Sequence, residues 1–396
     1  MMKFSFADLA KGVTPEVGIT VYDEVGKAVK LGPEQQLGRT GASGSVYTLP
    51  CAPDFCTKLY RKEELASTKQ HAQLVNRLRA MLKLGVATDP RFCWPLGLVM
   101  DKPGGKVVGF GMRRLPEGCK PLKLLFGGAS AVQRVWPGAG RRELATLAAN
   151  LVDAVIALEA WNVEPADFNP ENFVFDKEGR VFLLDLDSVS FREGGTAYPS
   201  KMSYGDTAAP ELLCKPDAFK ELRTREQTVF SLAVLCFQLV QLGEHPFSFV
   251  EVPGGPRMGS PAENIRAGLC ALGGGTGLKR APRYYALWTW LVADLQSVFL
   301  RTFRHEGYAD PARRPTLDEL SGALRKFAFE CGRTPERNKL EPDGPKTPRP
   351  ESGAPTPPAD GGQLPAFATL ALPTRGGRRP GRTGGYVPHH AYQSFG

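Results

Sequence analysis

Three oxygen-bearing side chains at a fixed spacing constrain this chain more than any other feature of its sequence. Asp167 and Asn172 lie in Pro165-Ala166-Asp167-Phe168-Asn169-Pro170-Glu171-Asn172, and Asp185 follows in Leu183-Leu184-Asp185-Leu186-Asp187-Ser188. Upstream, Leu144, Leu147, Leu151, Val155 and Leu158 share one face of a long helical segment ending near Trp161. Between the two acidic stretches, the apolar runs Phe173 to Phe175 and Val181 to Leu184 flank the turn residues Asp176 to Gly179, which predicts a hairpin. Such an order sets a polar loop after a long helix and an aspartate at the exit of a nearby strand. An Asp/Asn/Pro turn and a strand-end aspartate are each common alone; their combination in this setting is much rarer and favours a site over a plain turn.

The rest of the chain supplies two kinds of element. From Leu37 to Tyr60 a Gly-rich turn sits between β-prone residues, predicting strand, turn and strand. Leu74, Leu78, Met81 and Leu82 recur at helical spacing, with Gly85 placed for a C-terminal cap. Val107 to Met112 predicts a strand leading into a Gly/Pro-containing loop, and residues 229–242 are apolar on nearly every side, as in a buried helix. At 396 residues the chain exceeds the size at which a single core keeps growing, so two lobes are expected.

Hard oxygen donors suit Mg²⁺, and phosphoryl transfer asks a protein for little more than a phosphate cradle, cations and a carboxylate to align the attacking hydroxyl. The segment Leu37-Gly38-Arg39-Thr40-Gly41-Ala42-Ser43-Gly44-Ser45-Val46 is a candidate cradle, because glycines let backbone N–H groups approach phosphate oxygens. A Gly/Ser turn is also an ordinary hairpin. Lys58, in Cys56-Thr57-Lys58-Leu59-Tyr60, is placed to reach phosphates from what should be the next strand but one; its competing reading is a solvated strand lysine, since Arg61 and Lys62 follow. On the chemical reading, Asp167 orients the hydroxyl and takes its proton, while Asn172 and Asp185 hold the metal.

These residues resemble the protein-kinase superfamily, whose catalytic loop reads HRDLKPEN and whose metal loop reads DFG. Ala209-Pro210-Glu211 looks like the motif that closes an activation segment, and Arg314 looks like the late arginine that pairs with its glutamate. Trp94-Pro95, Val108-Gly109-Phe110-Gly111-Met112, Asp167-Phe168-Asn169, Asp185-Leu186-Asp187-Ser188 and His245-Pro246-Phe247 together are similar to a divergent bacterial Ser/Thr kinase-like group. In that group the catalytic loop begins GD(V/F/L)N and the metal loop reads DxDS. The similarity spans about residues 31 to 328. It implies an α+β, bilobal protein-kinase-like fold with a β-rich N-lobe at 31–113 and a helical C-lobe at 114–330; an N-terminal entry segment at 1–30 precedes it, and the Pro/Gly/Arg-rich composition of 331–396 predicts a disordered tail. It further implies ATP and Mg²⁺ as cofactors, with Asp167 and Lys58 as catalytic residues. Gly38, Gly41, Gly44, Val46, Lys58 and Met112 are the implied nucleotide contacts, and Asn172 and Asp185 the implied metal ligands. The implied activity is transfer of the γ-phosphoryl group to a Ser/Thr hydroxyl of a protein. A pseudokinase acting as an interaction module, and a kinase of a small-molecule hydroxyl, remain as alternatives.

The departures from the family pattern carry their own expectations. One extra residue separates Gly38 from Gly41. No glutamate occurs between Glu64 and Glu117, so Gln73, Glu63 or Glu64 is left to partner Lys58. Asn169 stands where the loop lysine belongs, which keeps a small-molecule acceptor in view. Pro165 and Ala166 replace the His and Arg before Asp167; without that Arg, activity is expected not to depend on activation-loop phosphorylation. Thr228 stands where an Asp usually braces the catalytic loop, and Asp187 either shares the cation or replaces a flexible glycine.

Composition excludes other classes. Apolar residues make up 42% and charged residues 23%, which suits a globular chain. The strongly apolar stretch Phe230 to Leu242 is too short to span a bilayer, and the N-terminus lacks a signal-peptide layout, so a cytoplasmic protein without a membrane partner is expected. Eight cysteines without CxxC spacing and five scattered histidines predict reduced thiols and no zinc site. The net charge of +9 is diffuse apart from Arg375 to Arg382, so nucleic acid is not an expected partner. The protein substrate is unassigned, and the resemblance implies a metal-dependent protein phosphatase as partner. Thr334-Pro335, Thr347-Pro348 and Thr356-Pro357 are candidate phosphorylation sites in what otherwise reads as a linker.

Overall fold

Alternate residues of a strand face opposite sides of a sheet, and the longest strand of this chain buries both sides. In the computed structural model, which describes residues 19–341 except 39, 40, 42, 51, 216, 274 and 275, the strands β1 (Ile19–Tyr22), β2 (Ala28–Leu31), β3 (Gln36–Leu37), β4 (Gly44–Leu49), β5 (Ala52–Tyr60), β6 (Gly97–Met100) and β7 (Val107–Arg113) form one antiparallel sheet. Its order is β2-β1-β6-β7-β5-β4-β3. Cross-strand partners share a face, and Val46, Lys58, Phe110 and Leu98 stand in one row across β4, β5, β7 and β6. On that face Cys56, Tyr60, Leu98, Phe110 and Met112 join the main core, whereas Leu59 and Val99 join a smaller cluster with Val21, Leu31, Leu49 and Ala52 on the other.

Helix α1 (Thr68–Met81) starts at Ser67, whose hydroxyl accepts from the Gln70 N–H, and ends before the expected Gly85. It buries Leu78, Ala80 and Met81. Strand β8 (Lys120–Pro121) and helix α2 (Ala129–Val135) lead into α3 (Arg141–Ala157), where Leu144, Leu147, Leu151 and Val155 are all buried as their spacing predicts. After β9 (Val163–Glu164) come β10 (Phe173–Phe175) and β11 (Val181–Leu183), the predicted hairpin. Its turn is tied by Asp176, whose Oδ1 accepts from the N–H groups of Glu178 and Arg180. Strands β12 (Ser190–Glu193) and β13 (Thr196–Tyr198) form a second hairpin that pairs with β9.

The remainder is helical: α4 (Pro210–Cys214), α5 (Arg225–Val240), α6 (Pro261–Arg266), α7 (Pro282–Thr289), α8 (Ala293–Phe303), α9 (His305–Ala309), α10 (Leu317–Gly332) and α11 (Pro335–Asn338). Helix α5 is buried all round, and α3 packs against both α5 and α10. Full burial of a Leu or Phe side chain contributes roughly 1.5–3 kcal/mol, so these contacts are the main support of the larger lobe. Among the described residues one helical stretch, Arg141–Trp161, is long and apolar enough to cross a membrane by composition, and it is this central helix. The result is an α+β, bilobal arrangement of a strand-rich lobe and a helical lobe.

Two sequence expectations need correction. Strands β1 and β2 fall in or at the edge of the segment set apart as 1–30, yet they extend the N-lobe sheet; at four residues each they are too short for alternation to stand out. At the other end, residues 331–341 are not part of a disordered tail. Cys331 is buried at the close of α10, Thr334 caps α11 with Pro335 at its first turn, and the Asn338 Oδ1 accepts from the Arg142 N–H at 2.7 Å. The remaining tail expectations, including Thr347, Thr356 and Arg375 to Arg382, lie outside the described residues.

Candidate active site

The loop that follows β9 is folded back on itself by its own side chains. Asn169 is buried, and its Oδ1 accepts from the Glu171 N–H at 3.0 Å while its carbonyl accepts from the Asn172 N–H at 2.9 Å. This turn brings Asn172 beside Asp167: the Asn172 amide N–H donates to Asp167 Oδ2 at 2.9 Å. Phe168 points inward and packs on Phe173 with ring centroids 5.6 Å apart. The Leu184 N–H donates to the Asn172 carbonyl at 2.8 Å, which fastens the loop to the exit of β11, where Asp185 stands. Asp185 adopts a left-handed conformation at φ 51°, and a short turn over Leu186–Ser188 follows, with the Ser188 hydroxyl donating to the Asp185 carbonyl. Asp167, Asn172 and Asp185 line one pocket together with Ala166, Leu186 and Ser188.

Burial is uneven in this pocket. Asp167 Oδ1 is buried without a hydrogen-bond partner, and burial pushes the Asp167 carboxyl up to about 6 despite the Asn172 hydrogen bond. The Asp185 side chain keeps 47% exposure. Lys58, only 4% exposed, reaches across from β5. Its Nζ lies 3.4 Å from Asp185 Oδ1 and 2.9 and 3.1 Å from the two oxygens of Asp187. Burial opposes the ammonium charge, but the carboxylates of Asp187 and Asp185 more than offset it and hold Lys58 above its ordinary range. The same contact holds Asp187 below the usual carboxylate range although it is buried. Lys58 is therefore no solvated strand lysine.

No protein-family model matches the chain. Protein kinase YegI of Escherichia coli strain K12 is 26% identical over 329 residues, which cover 78% of this chain and 47% of that protein. Its counterpart in Escherichia coli O157:H7 is 26% identical over 316 residues, covering 77% of this chain and 46% of that protein. The chain spans about half the length of these curated relatives. The solved ROP18 kinase domain in complex with AMP-PNP and sucrose aligns at 16% identity with a TM-score of 0.49, over 81% of this chain and 88% of that one. The chain is protein-kinase-like.

Within this kinase-like frame the remaining expected positions divide. Val46 lies opposite Lys58, and Met112 lies opposite Cys56, so both share the lysine's face of the sheet. Gly38 has φ 65° and the Gly41 N–H donates to the Gly44 carbonyl at 2.8 Å. Gly44 has a packing reason of its own, since a Cβ there would collide with the Leu59 carbonyl of β5. Arg39, Thr40 and Ala42 lie outside the described residues. The donor set fits a magnesium–nucleotide: Asp185 offers a half-exposed carboxylate, and Asn172, having given its amide N–H to Asp167, keeps its carbonyl oxygen as an acceptor. Among the described residues no three His, Cys, Asp or Glu side chains gather as a metal site, so such a cation would draw its other ligands from phosphate and water, as Mg²⁺ commonly does.

Sequence reasoning left the partner of Lys58 open, and the structure answers it with Asp187 rather than with Gln73, Glu63 or Glu64, which are all exposed. It also missed Tyr60 and Arg77. The Tyr60 hydroxyl donates to Asp187 Oδ2 at 2.8 Å, and its signal was its place two residues after Lys58, on the same strand face. Arg77 of α1 donates through Nε to the Asp187 carbonyl at 2.8 Å and through Nη1 to the carbonyls of Tyr198 and Pro199. Its signal was a cation set among Leu74, Leu78 and Met81. Elsewhere the expected Glu211–Arg314 pair is present, with two 2.8 Å contacts, and Thr228 donates to Glu164 Oε2 at 2.6 Å.

Proposed function

We propose that this chain binds ATP with Mg²⁺ where Lys58 of β5 meets Asp167, Asn172 and Asp185, and transfers the γ-phosphoryl group to a Ser/Thr hydroxyl of a protein. The observation that carries the reading is the shared pocket of Asp167, Asn172 and Asp185, with Lys58 Nζ 3.4 Å from Asp185. Bound Mg²⁺ supplies charge neutralisation at the phosphate oxygens. Asp185 and Asn172 present the oxygens that would hold the cation, and Lys58 presents an ammonium to the phosphates. Asp167 presents the carboxylate that would align an acceptor hydroxyl and accept its proton, and its Oδ1 has no hydrogen-bond partner. A carboxyl lifted to about 6 is still mostly ionised at neutral pH yet a stronger base than an ordinary aspartate. The relatives named as protein kinases support a protein acceptor. By resemblance alone, the proposal extends to a metal-dependent phosphatase as a partner.

Labelled phosphate from γ-labelled ATP, supplied with Mg²⁺ to the purified chain and a panel of protein substrates, tests this reading. Incorporation should appear as phosphoserine or phosphothreonine and fall roughly 100- to 10,000-fold in Asp167→Ala, the range a positioned base supplies. A folded, nucleotide-binding chain that incorporates nothing would make it an interaction module. Label recovered only on small molecules would move the acceptor out of the protein class.

A further inference from the structure

Lys58 needs an anionic partner that does not compete for the cation, and helix α1 provides none. Residues 68–81 contain no Asp or Glu, and what α1 turns toward the metal loop is the guanidinium of Arg77. That cation is spent on three backbone carbonyls, those of Asp187, Tyr198 and Pro199, and lies 5.2 Å over the Phe191 ring. A carboxylate at that place would face the same carbonyl oxygens and be repelled.

We propose that Asp187 is the positioning residue for Lys58, a counter-ion supplied by the metal loop itself in place of an acid on helix α1, and that it is not a ligand of the cation. The inference rests on the kinase reading above and specifies how its lysine is held. Oxygen by oxygen, the two aspartates of the loop differ. Both Asp187 oxygens are occupied by Lys58, and Oδ2 also accepts from the Tyr60 hydroxyl. Asp185 meets Lys58 through Oδ1 alone and at the longer distance of 3.4 Å. Exposure divides them the same way, 9% for Asp187 against 47% for Asp185. A desolvated pair interacts far more strongly than one open to water, so Asp187 dominates the placement of the ammonium. The backbone enforces the split: Asp185 sits in the left-handed region, and the Leu186–Ser188 turn aims the next acidic side chain back at β5. Without Asp187, the nearest anion left to Lys58 is Asp185, and the ammonium would settle on the carboxylate meant for the metal.

A double-mutant cycle on the full chain distinguishes positioning from metal ligation. Asp187→Asn keeps an acceptor for Tyr60 and removes the charge; Lys58→Met removes the ammonium; Asp185→Asn is the metal control. Each is read by the Kd of a fluorescent ATP analogue across a Mg²⁺ series, by kcat and KM for transfer, and by the ligand-free thermal midpoint. Asp187→Asn should weaken nucleotide affinity or kcat/KM by about tenfold or more with Lys58 present, and by less than about threefold in the Lys58→Met background, the non-additivity of two residues acting as one unit. Asp185→Asn should raise the Mg²⁺ requirement in both backgrounds. An equal effect of Asp187→Asn in both backgrounds, or none in either, overturns the proposal. If Asp187→Asn does not fold, Asp187→Ser, which also removes the charge, takes its place in the cycle under the same criteria. Nucleotide binding without transfer would remove the proposed activity and leave the cycle readable through Kd. Failure of the unaltered chain to bind any nucleotide would remove both.

Discussion

Asp167 gives one carboxylate oxygen to the Asn172 amide and buries the other without a partner, so folding moves an acid into surroundings that penalise its charge. With its carboxyl raised to about 6 by burial, the folded state holds a proton more tightly than the unfolded one. The sign follows: the native chain loses stability as pH rises from below 4 through 6, and the full cost is present above that range. Asp167→Asn preserves the acceptor for Asn172 and abolishes the charge. In the nucleotide-free protein it should raise unfolding stability at pH 7.5 by about 1–3 kcal/mol while reducing transfer, and the stability gain should shrink toward zero near pH 4. Urea denaturation at the two pH values measures this, and equal stability of both proteins at pH 7.5 would contradict it. Asp187 shows the limit of residue-level reading. Its spacing from Asp185 is plain in the sequence, but both of its oxygens turn to a lysine 129 positions earlier, and nothing local records that.

The segment between Asp185 and Glu211 is tied down along its length by its own ring stacking and by hydrogen bonds from neighbouring elements. Its β12–β13 hairpin stacks Phe191 on Tyr198 at 4.8 Å, and Arg77 and Arg223 donate to the carbonyls of Tyr198, Pro199, Ser200 and Met202. Further along, the Thr207 hydroxyl donates to the Phe168 carbonyl at 3.3 Å. His245 accepts the Phe247 N–H at Nδ1, which leaves Nε2–H to donate to the Asp206 carbonyl at 2.7 Å. Burial lowers the His245 pKa to about 4, so this neutral tautomer persists across physiological pH. Ser190, Ser200 and Thr207 are buried, whereas Thr196 is exposed and Ser203 partly so. Replacing Thr196 and Ser203 by Ala should therefore leave transfer within about twofold, because Arg77 and Arg223 already hold the carbonyls of this segment; a loss of more than tenfold with folding intact would refute independence from loop phosphorylation. The β10–β11 hairpin and α3 were legible because apolar runs and Asp176-to-Gly179 turn chemistry agree. Strands β12 and β13 were not: they are four and three residues long, and Arg192, Glu193 and Thr196 break their apolar pattern. Helix α11 was hidden because its cap signal, Thr334-Pro335, sits in a Pro-rich stretch that reads as linker.

At the scale of the molecule, the sheet of the small lobe and the loops of the helical lobe deliver their charges to one place. The cross-strand row of Val46, Lys58 and Phe110 sets the lysine on the core-facing side of the sheet, and the Asp185–Ser188 loop meets it there. The helix, the hairpin and the Asp167–Asn172–Asp185 spacing could be read from the sequence because they depend on periodicity and on neighbours within twenty residues, and the fold class followed from the resemblance those residues carry. The partner of Lys58 could not, because it depends on which face of α1 and which turn of the Asp185–Ser188 loop arrive opposite β5. The central claim is that these groups gather one magnesium–nucleotide. Calorimetric titration of the full chain with ATP, with and without Mg²⁺, tests it most directly. The account predicts binding that requires Mg²⁺ and loses that requirement, together with most of its affinity, in Asp185→Ala; ATP affinity indifferent to both the cation and residue 185 would contradict it.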